Sequence, residues 1–146
     1  AKAVLFRSLM AEPFVRKFHH KPLLKTAVLN RDDASFAVLS AIPAEKYITY
    51  GIQAPQPGGS PGEESLTARN VRYSPDGMSF DIEVDRSGLR AFHIDTPLVG
   101  SFNVANILAA AGAAMAVGVE DAAITAGVGS ASPKTIPNAV ANKTTE

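Results

Sequence analysis

Thr26-Ala27-Val28-Leu29-Asn30 is a short run in which polar and apolar positions do not alternate, with a basic stretch before it and two aspartates soon after. A strand with one wet face alternates, whereas an unalternating apolar run is typical of a strand buried on both faces of a parallel sheet. The run is therefore expected to be a central strand. A different pattern follows later in the chain. Phe80, Ile82 and Val84 alternate with Ser79, Asp81, Glu83 and Asp85, and Val71/Tyr73 and Phe92/Ile94 repeat the period of two on either side. Ser74-Pro75-Asp76-Gly77 and Asp85-Arg86-Ser87-Gly88 supply turns between these segments. Together the two patterns define an α/β class: part of a mainly parallel sheet flanked by helices, plus a small three-stranded antiparallel sheet.

Outward from that first run, Leu5/Leu9 and Phe6/Met10 stand four apart on an amino-terminal helix that ends near Glu12-Pro13. Arg16, Lys17, His19, His20 and Lys21 read as a basic, irregular stretch. Asp32, Asp33 or Ser35 can cap a short helix carrying Phe36, Leu39 and Ile42, which Pro43 stops. Tyr47 to Ile52 supplies the next strand. Six of the twelve residues 53–64 are Pro or Gly, so the segment reads as a linker or excursion between two substructures. Residues 104–119 are apolar or glycine throughout except Asn106, which predicts a helix covered nearly all round. A weaker helix over 120–128 and an aperiodic, Pro-interrupted tail complete the chain.

Composition closes off several classes. The 146 residues carry 14 Lys+Arg against 14 Asp+Glu, with 46% apolar residues and no Cys or Trp. At this size a core can form without disulfides or cysteine-bound zinc. Balanced charge provides no field to gather nucleic acid or anionic lipid. No apolar run reaches the roughly 20 residues of a transmembrane helix, so no membrane insertion is expected. The chain opens in mid-helix pattern without an initiator Met, which reads as a piece of a longer polypeptide.

The glycines of 58–62 lack the Lys-Ser/Thr ending of a phosphate loop and precede Glu63-Glu64, so they read as a flexible connection. Asp32-Asp33 lies where open α/β sheets present ligands and could hold a metal, but capping accounts for it with less. His19, His20 and His93 read as solvated side chains. Asn103 and Asn106 stand three apart at a helix N-terminus, in a first turn otherwise made of Phe, Val, Ala, Ile and Leu. Two readings stand: the amides face a purine's donor and acceptor edge, or Asn103 caps the helix and Asn106 bonds to a neighbouring loop.

Gly100-Ser101-Phe102-Asn103-Val104-Ala105-Asn106-Ile107-Leu108-Ala109-Ala110 resembles the Mur ligase signature G-x-[FH]-N-x-x-N-x-L-A-A. Ala1-Lys2-x-x-Leu5-Phe6 resembles that family's A-K-x-x-L-F/Y helix, and Asn30-Arg31-Asp32-Asp33 its strand ending N-x-D-D. The three motifs fall in the family's order, over about residues 1–131, and are most similar to the branch that adds the third peptide residue of the peptidoglycan precursor. The resemblance implies that residues 1–131 are the second half of a central, ATP-binding domain, with 132–146 an irregular tail.

It further implies an ATP-dependent amide-forming ligase of peptidoglycan biosynthesis, cytoplasmic, acting on UDP-N-acetylmuramoyl-dipeptide and an amino acid through an acyl phosphate, with ATP and Mg2+ as cofactors. Lys2 inherits the role of the carbamylated lysine that helps hold magnesium, and is the implied catalytic and metal-site residue. Asn106 inherits the adenine contact, with Asn103 beside it. The family's G-x-x-G-K-[ST] loop is not among these residues. In place of its P-G-R-M-E-like segment stands Ser132-Pro133-Lys134, and lysine does not replace a planar, bidentate arginine. The chain alone is thus expected to be inactive and to self-associate through uncovered surface. The rival expectation is a non-catalytic interaction or scaffold module.

Overall fold

The computed structural model describes residues 2–11, 16–18, 21–55, 63–86 and 88–131, and only the backbone at 2, 11, 16–18 and 21–23. The segment 58–62, His19, His20 and the tail 132–146 lie outside the described residues.

Helix α1 (Lys2–Ala11) precedes a small antiparallel ribbon of β1 (Arg16–Phe18) and β2 (Lys21–Leu23). The ribbon occupies the stretch expected to be irregular, where its three-residue strands are too short to show a period. There follow β3 (Thr26–Asn30), α2 (Phe36–Ser40), β4 (Lys46–Gly51), β5 (Glu64–Ser74), β6 (Gly77–Asp85), β7 (Arg90–Thr96), α3 (Phe102–Ala116) and α4 (Asp121–Gly129).

Strands β3 to β7 form one five-stranded sheet in sequence order. The β3–β4 and β4–β5 pairs are parallel, and β5–β6 and β6–β7 are antiparallel. The parallel part and the meander therefore share β5, whose residues 64–67 pair with β4 while 65–69 and 72–74 pair with β6, with a bulge between Arg69 and Arg72. The linker or excursion expected at 53–64 therefore joins adjacent parallel strands of one sheet, not two separate substructures, and the dozen residues 52–63 are what such a return requires.

The pleat divides the sheet into two faces. Val28, Ile48, Leu66, Phe80, Ile82, Val84 and Ile94 point to the face that α3 and α4 cover, where they form the core with Val104, Ile107, Leu108, Ala111 and Ile124. Phe80, Ile82, Leu66 and Ile94 are fully buried there, each contributing on the order of 2 kcal/mol by removal from water. Gly112 lets α3 approach closely, since a β-carbon on it would stand 2.9 Å from Val28 Cγ1 and 3.3 Å from Ile48 Cγ2. On the opposite face α2 packs against β3, where Ala27 and Leu29 are buried. The β3–β4 crossover runs through α2 on that face.

Three expectations are corrected. Thr26–Asn30 is buried on one face and half-buried on the other, yet it lies at an edge of the sheet, with no strand on its outer side among the described residues. Helix α3 is covered on one side only, and Phe102 and Val117 are exposed; alanine tolerates solvent, so an alanine-rich face need not be buried. Helix α2 has no side-chain cap. Asp33 instead accepts the backbone N–H of Ser35 at 2.8 Å and its hydroxyl, forming a turn ahead of the helix. In α1 the Leu5 and Leu9 stripe is exposed, while Phe6 and Met10 are half-buried.

The opposite sheet edge is better protected. Helix α4 lies against β7: Thr125 Oγ1 donates to the His93 carbonyl at 3.3 Å, and Thr96 Oγ1 donates to the Val128 carbonyl at 3.1 Å. Ions fasten the same corner. Buried Glu64 pairs with Lys46 at 3.0 Å, and Arg90 binds both Asp121 oxygens at 3.0 and 3.2 Å.

Candidate functional site

The carboxyl ends of β3, β4, β5 and β7 all lie on one edge of the sheet, which follows from the parallel and antiparallel registers. Five residues after β7 the chain enters α3, which must run back over β3 and β4 to bring Gly112 against Val28 and Ile48. The N-terminus of α3 therefore stands at the carboxyl edge, together with the turn 30–33 and the exit of β4. Open α/β sheets place their ligands at this edge.

Residues 100–106 have a defined local geometry. Gly100 adopts φ +97, a left-handed conformation that favours glycine. The first turn closes by Asn103 N to Gly100 O at 3.0 Å and Val104 N to Ser101 O at 3.2 Å. Asn103 is half-buried and donates Nδ2 to the Val99 carbonyl at 2.8 Å; its Oδ1 accepts Asn106 Nδ2 at 3.3 Å. Asn106 is exposed and bonds to Asn103, and no side chain caps the helix, whose N-cap residue is Ser101. Of its amide, one hydrogen is engaged with Asn103, so a second hydrogen and the carbonyl oxygen remain to offer a ligand. Val104, Ile107 and Leu108 turn inward, so the amides share the outer side with Phe102, which is 68% exposed.

Beside this turn, Asn30 Oδ1 accepts the N–H of Asp32 at 2.9 Å, and Asp32 Oδ2 accepts the N–H of Ile52 at 2.7 Å. The turn leaving β3 is thereby tied to the exit of β4. Arg31 reaches across the face opposite α3, donating to Ser65 Oγ at 2.8 Å, Thr67 Oγ1 at 3.0 Å, Thr49 Oγ1 at 3.3 Å and the carbonyls of Gln53 and Leu66 at 3.0 and 3.2 Å. Burial lowers its pKa, with Asp32 and Glu63 acting against that. Tyr50 lies on the α3 side against the core; burial first, and then the charge of Asp33, raise its phenol above the ordinary tyrosine range.

Lys2 is the first residue of α1; its side chain is outside the described residues. Lys25 Nζ donates to the Met10 carbonyl at 2.9 Å, which fixes the far end of α1 near the start of β3. Lys2 stands eight residues, about 12 Å, back along the helix axis. Asn103 and Asn106 are thus brought together, and no described contact joins Lys2 to them. Among the described residues no three His, Cys, Asp or Glu side chains cluster to hold a metal. The two amides offer a free hydrogen and a carbonyl oxygen beside the exposed Phe102 ring. His93 is not simply solvated: its Nδ1 lies 2.7 Å from Asp81 Oδ1.

Sequence reasoning singled out neither Arg31 nor Tyr50, and named Phe102 only within its motif. The signal for Arg31 was the alternation of Ser65, Thr67 and Arg69 with Leu66 and Ala68, which marks a polar sheet face needing a donor.

The fold is a mixed α/β sheet with an amide pair at a helix N-terminus on its carboxyl edge, and comparison with known proteins gives its family. Residues 11–114 match the Mur ligase middle domain, and the chain belongs to that family. It is 34% identical over 128 residues to the UDP-N-acetylmuramoyl-L-alanyl-D-glutamate--2,6-diaminopimelate ligase of Bacillus licheniformis, an alignment that takes in 88% of this chain and 23% of that one. It is 30% identical over 110 residues to the corresponding L-lysine ligase of Staphylococcus haemolyticus, over 75% of this chain and 18% of the relative. In fold it resembles MurF from Acinetobacter baumannii, with a TM-score of 0.57 at 20% identity, over 90% of this chain and 24% of that structure. The chain thus spans about a quarter or less of the relatives it matches. Among the described residues no helix is long and apolar enough to cross a membrane.

Proposed function

We propose that this chain is the second half of the central domain of an ATP-dependent ligase that adds the third amino acid to UDP-N-acetylmuramoyl-dipeptide in the cytoplasm, and that its own part in that reaction is to seat the adenine of ATP. The observation that carries the reading is the Asn103–Asn106 pair on the outer side of the first turns of α3, at the carboxyl edge of the sheet, in a chain of the Mur ligase family. Asn103 is anchored at Val99 and orients Asn106, whose remaining donor and acceptor match the N6-amino group and adjacent ring nitrogen of adenine. Phe102, uncovered beside them, offers a stacking surface. The reaction class needs a carboxylate of the dipeptide to take the γ-phosphoryl group, and the incoming amine then to displace phosphate from the acyl phosphate. Magnesium, when bound, would neutralise charge on the transferred group. Lys2 is the residue of this chain assigned to that site, as a carbamate, on the strength of its motif.

The 146 residues contain no G-x-x-G-K-[ST] run, so the chain alone binds the nucleoside end of ATP without transferring its phosphate. Calorimetric titration of the chain with ADP tests this. Binding that weakens about tenfold in Asn106→Ala, with a reduced preference for ADP over inosine diphosphate, supports the reading. Equal affinity of the variant, or ATP-dependent amide formation by the purified chain, overturns it. The outer side of β3, where no strand pairs among the described residues, and the exposed Leu5 and Leu9 also favour self-association of this chain, which light scattering measures.

A further inference from the structure

Ser74-Pro75-Asp76-Gly77 joins β5 to β6, and because Ser74 pairs with Gly77 the loop itself is Pro75 and Asp76. Of the aspartates and asparagines in the sequence, Asp76 alone is followed by glycine. Its side chain is exposed, and among the described residues its carboxylate has no hydrogen-bond or ion-pair partner. Asp32, Asp33, Asp81 and Asp121 are each engaged by a hydrogen bond. The fold demands the glycine: a β-carbon at residue 77 would stand 2.2 Å from the Thr96 carbonyl oxygen and 3.1 Å from Pro97 Cα. The amide nitrogen after Asp76 thus has no side chain to shield it.

On the β5 side this end of the hairpin is lightly held. Beyond the bulge, the register pairs that remain are Arg72 with Ser79, Tyr73 with Met78 and Ser74 with Gly77, and residues 72–76 are exposed. Few pairs and little burial make local opening easier than in the core, which lets the Asp76 side chain swing onto the following nitrogen. An open cleft of about 430 Å³, lined by Asp76, Gly77 and Thr96 among others, brings water to the same turn.

We propose that Asp76-Gly77 is a site of spontaneous backbone modification, where aspartate converts to isoaspartate through a cyclic imide. The Gly77 nitrogen attacks Cγ of the protonated Asp76 carboxyl group. An N–Cγ bond forms, a Cγ–O bond breaks, and the amide proton leaves with that hydroxyl as water. Water then opens the ring. Cleavage of the N–Cγ bond restores aspartate, whereas cleavage between the nitrogen and the main-chain carbonyl carbon leaves the chain running through Cβ and Cγ, with a free α-carboxylate. No oxidant or cofactor enters. The product lengthens the main chain of this short loop by a methylene, which breaks the pairing of Ser74 with Gly77 and loosens β5 beside Met78, itself buried in the core. The site is independent of the nucleotide reading.

Prolonged incubation of the folded chain at neutral pH, followed by peptide mapping with isoaspartyl methyltransferase labelling, tests the proposal. Wild type is expected to accumulate isoaspartate at residue 76, through a species one water lighter, ahead of Asp85 and Asp95, whose following residues carry side chains. Asp76→Glu, whose longer side chain closes a larger ring slowly, should stay unlabelled. Asp76→Asn, which loses ammonia instead of water, should convert faster than wild type. In aged wild type the amide of Met78 should exchange hydrogen faster than in fresh protein, while that of Ile82 holds. A thermal melt shows that each variant starts folded. Absence of label at residue 76 overturns the proposal, as does label that forms in urea but not in the folded chain, or equal label in Asp76→Glu.

Discussion

Phe102 lies across Gly100: a β-carbon built on the glycine would stand 2.6 Å from Cε1 of the ring and 3.2 Å from Cδ1 and Cζ. The ring and the left-handed backbone at φ +97 exclude other residues for separate reasons. Gly100→Ala is therefore expected to cost about 1–3 kcal/mol in urea unfolding. Part of that cost is steric and should vanish when the ring is absent, so Gly100→Ala/Phe102→Ala should lose less than the sum of the single variants by about 0.5 kcal/mol or more. Strict additivity would show that the ring does not press on residue 100.

Phe102→Ala alone separates stability from binding. The ring is 68% exposed, so its removal should change unfolding free energy by no more than about 0.5 kcal/mol. As a stacking surface for adenine it is worth about 1–3 kcal/mol, which predicts at least a fivefold loss of ADP affinity in the same sample. A large fall in melting temperature with unaltered affinity would assign the ring to packing.

Much of this was readable from residue order and some was not. The period of two over 79–85 and the turn at 74–77 gave β6 and its hairpin, because a half-buried strand must alternate. Helix α3 was legible for its length and apolar content, yet its outer side was misjudged, since alanine is equally at home in water and in a core. The edge position of β3 was not legible at all. Burial on a face and hydrogen bonding at an edge are independent, and sequence reports only the first. At the site, the spacing of Asn103 and Asn106 announced the pair. Arg31 stayed hidden because its acceptors, Thr49, Ser65 and Thr67, come from two strands whose pairing no local pattern encodes.

Gly112 tests the packing of α3. Alanine would add about 1 kcal/mol of helix propensity, but its β-carbon would sit 2.9 Å from Val28 Cγ1, and valine is stiff at that torsion. Overpacking should win, giving a net loss of about 1–2 kcal/mol for Gly112→Ala, and Val28→Ala in the same chain should relieve part of it. A stabilised Gly112→Ala would mean that helix and sheet can separate freely.

Asp81 carries a pH dependence. Its carboxyl is held below the ordinary range, first by the hydrogen bond from Asn70 Nδ2 at 2.8 Å and then by His93. A group with a depressed folded pKa contributes its stability above its unfolded pKa and loses it as pH falls through the folded value. Stability should thus decline on acidification below the ordinary aspartate range, and the decline should shrink in Asn70→Gly, which keeps the left-handed backbone at φ +54 while deleting the amide. Carboxyl-carbon NMR titration of Asp81 gives the check: an unchanged midpoint in the variant would refute the role of Asn70.

The two borders of the sheet differ, β7 backed by α4 and β3 bare of any strand among the described residues. A ladder with one stopped end counts. Two copies joined through their β3 strands would leave only stopped ends facing outward, so such pairing terminates at two and cannot grow into a fibre.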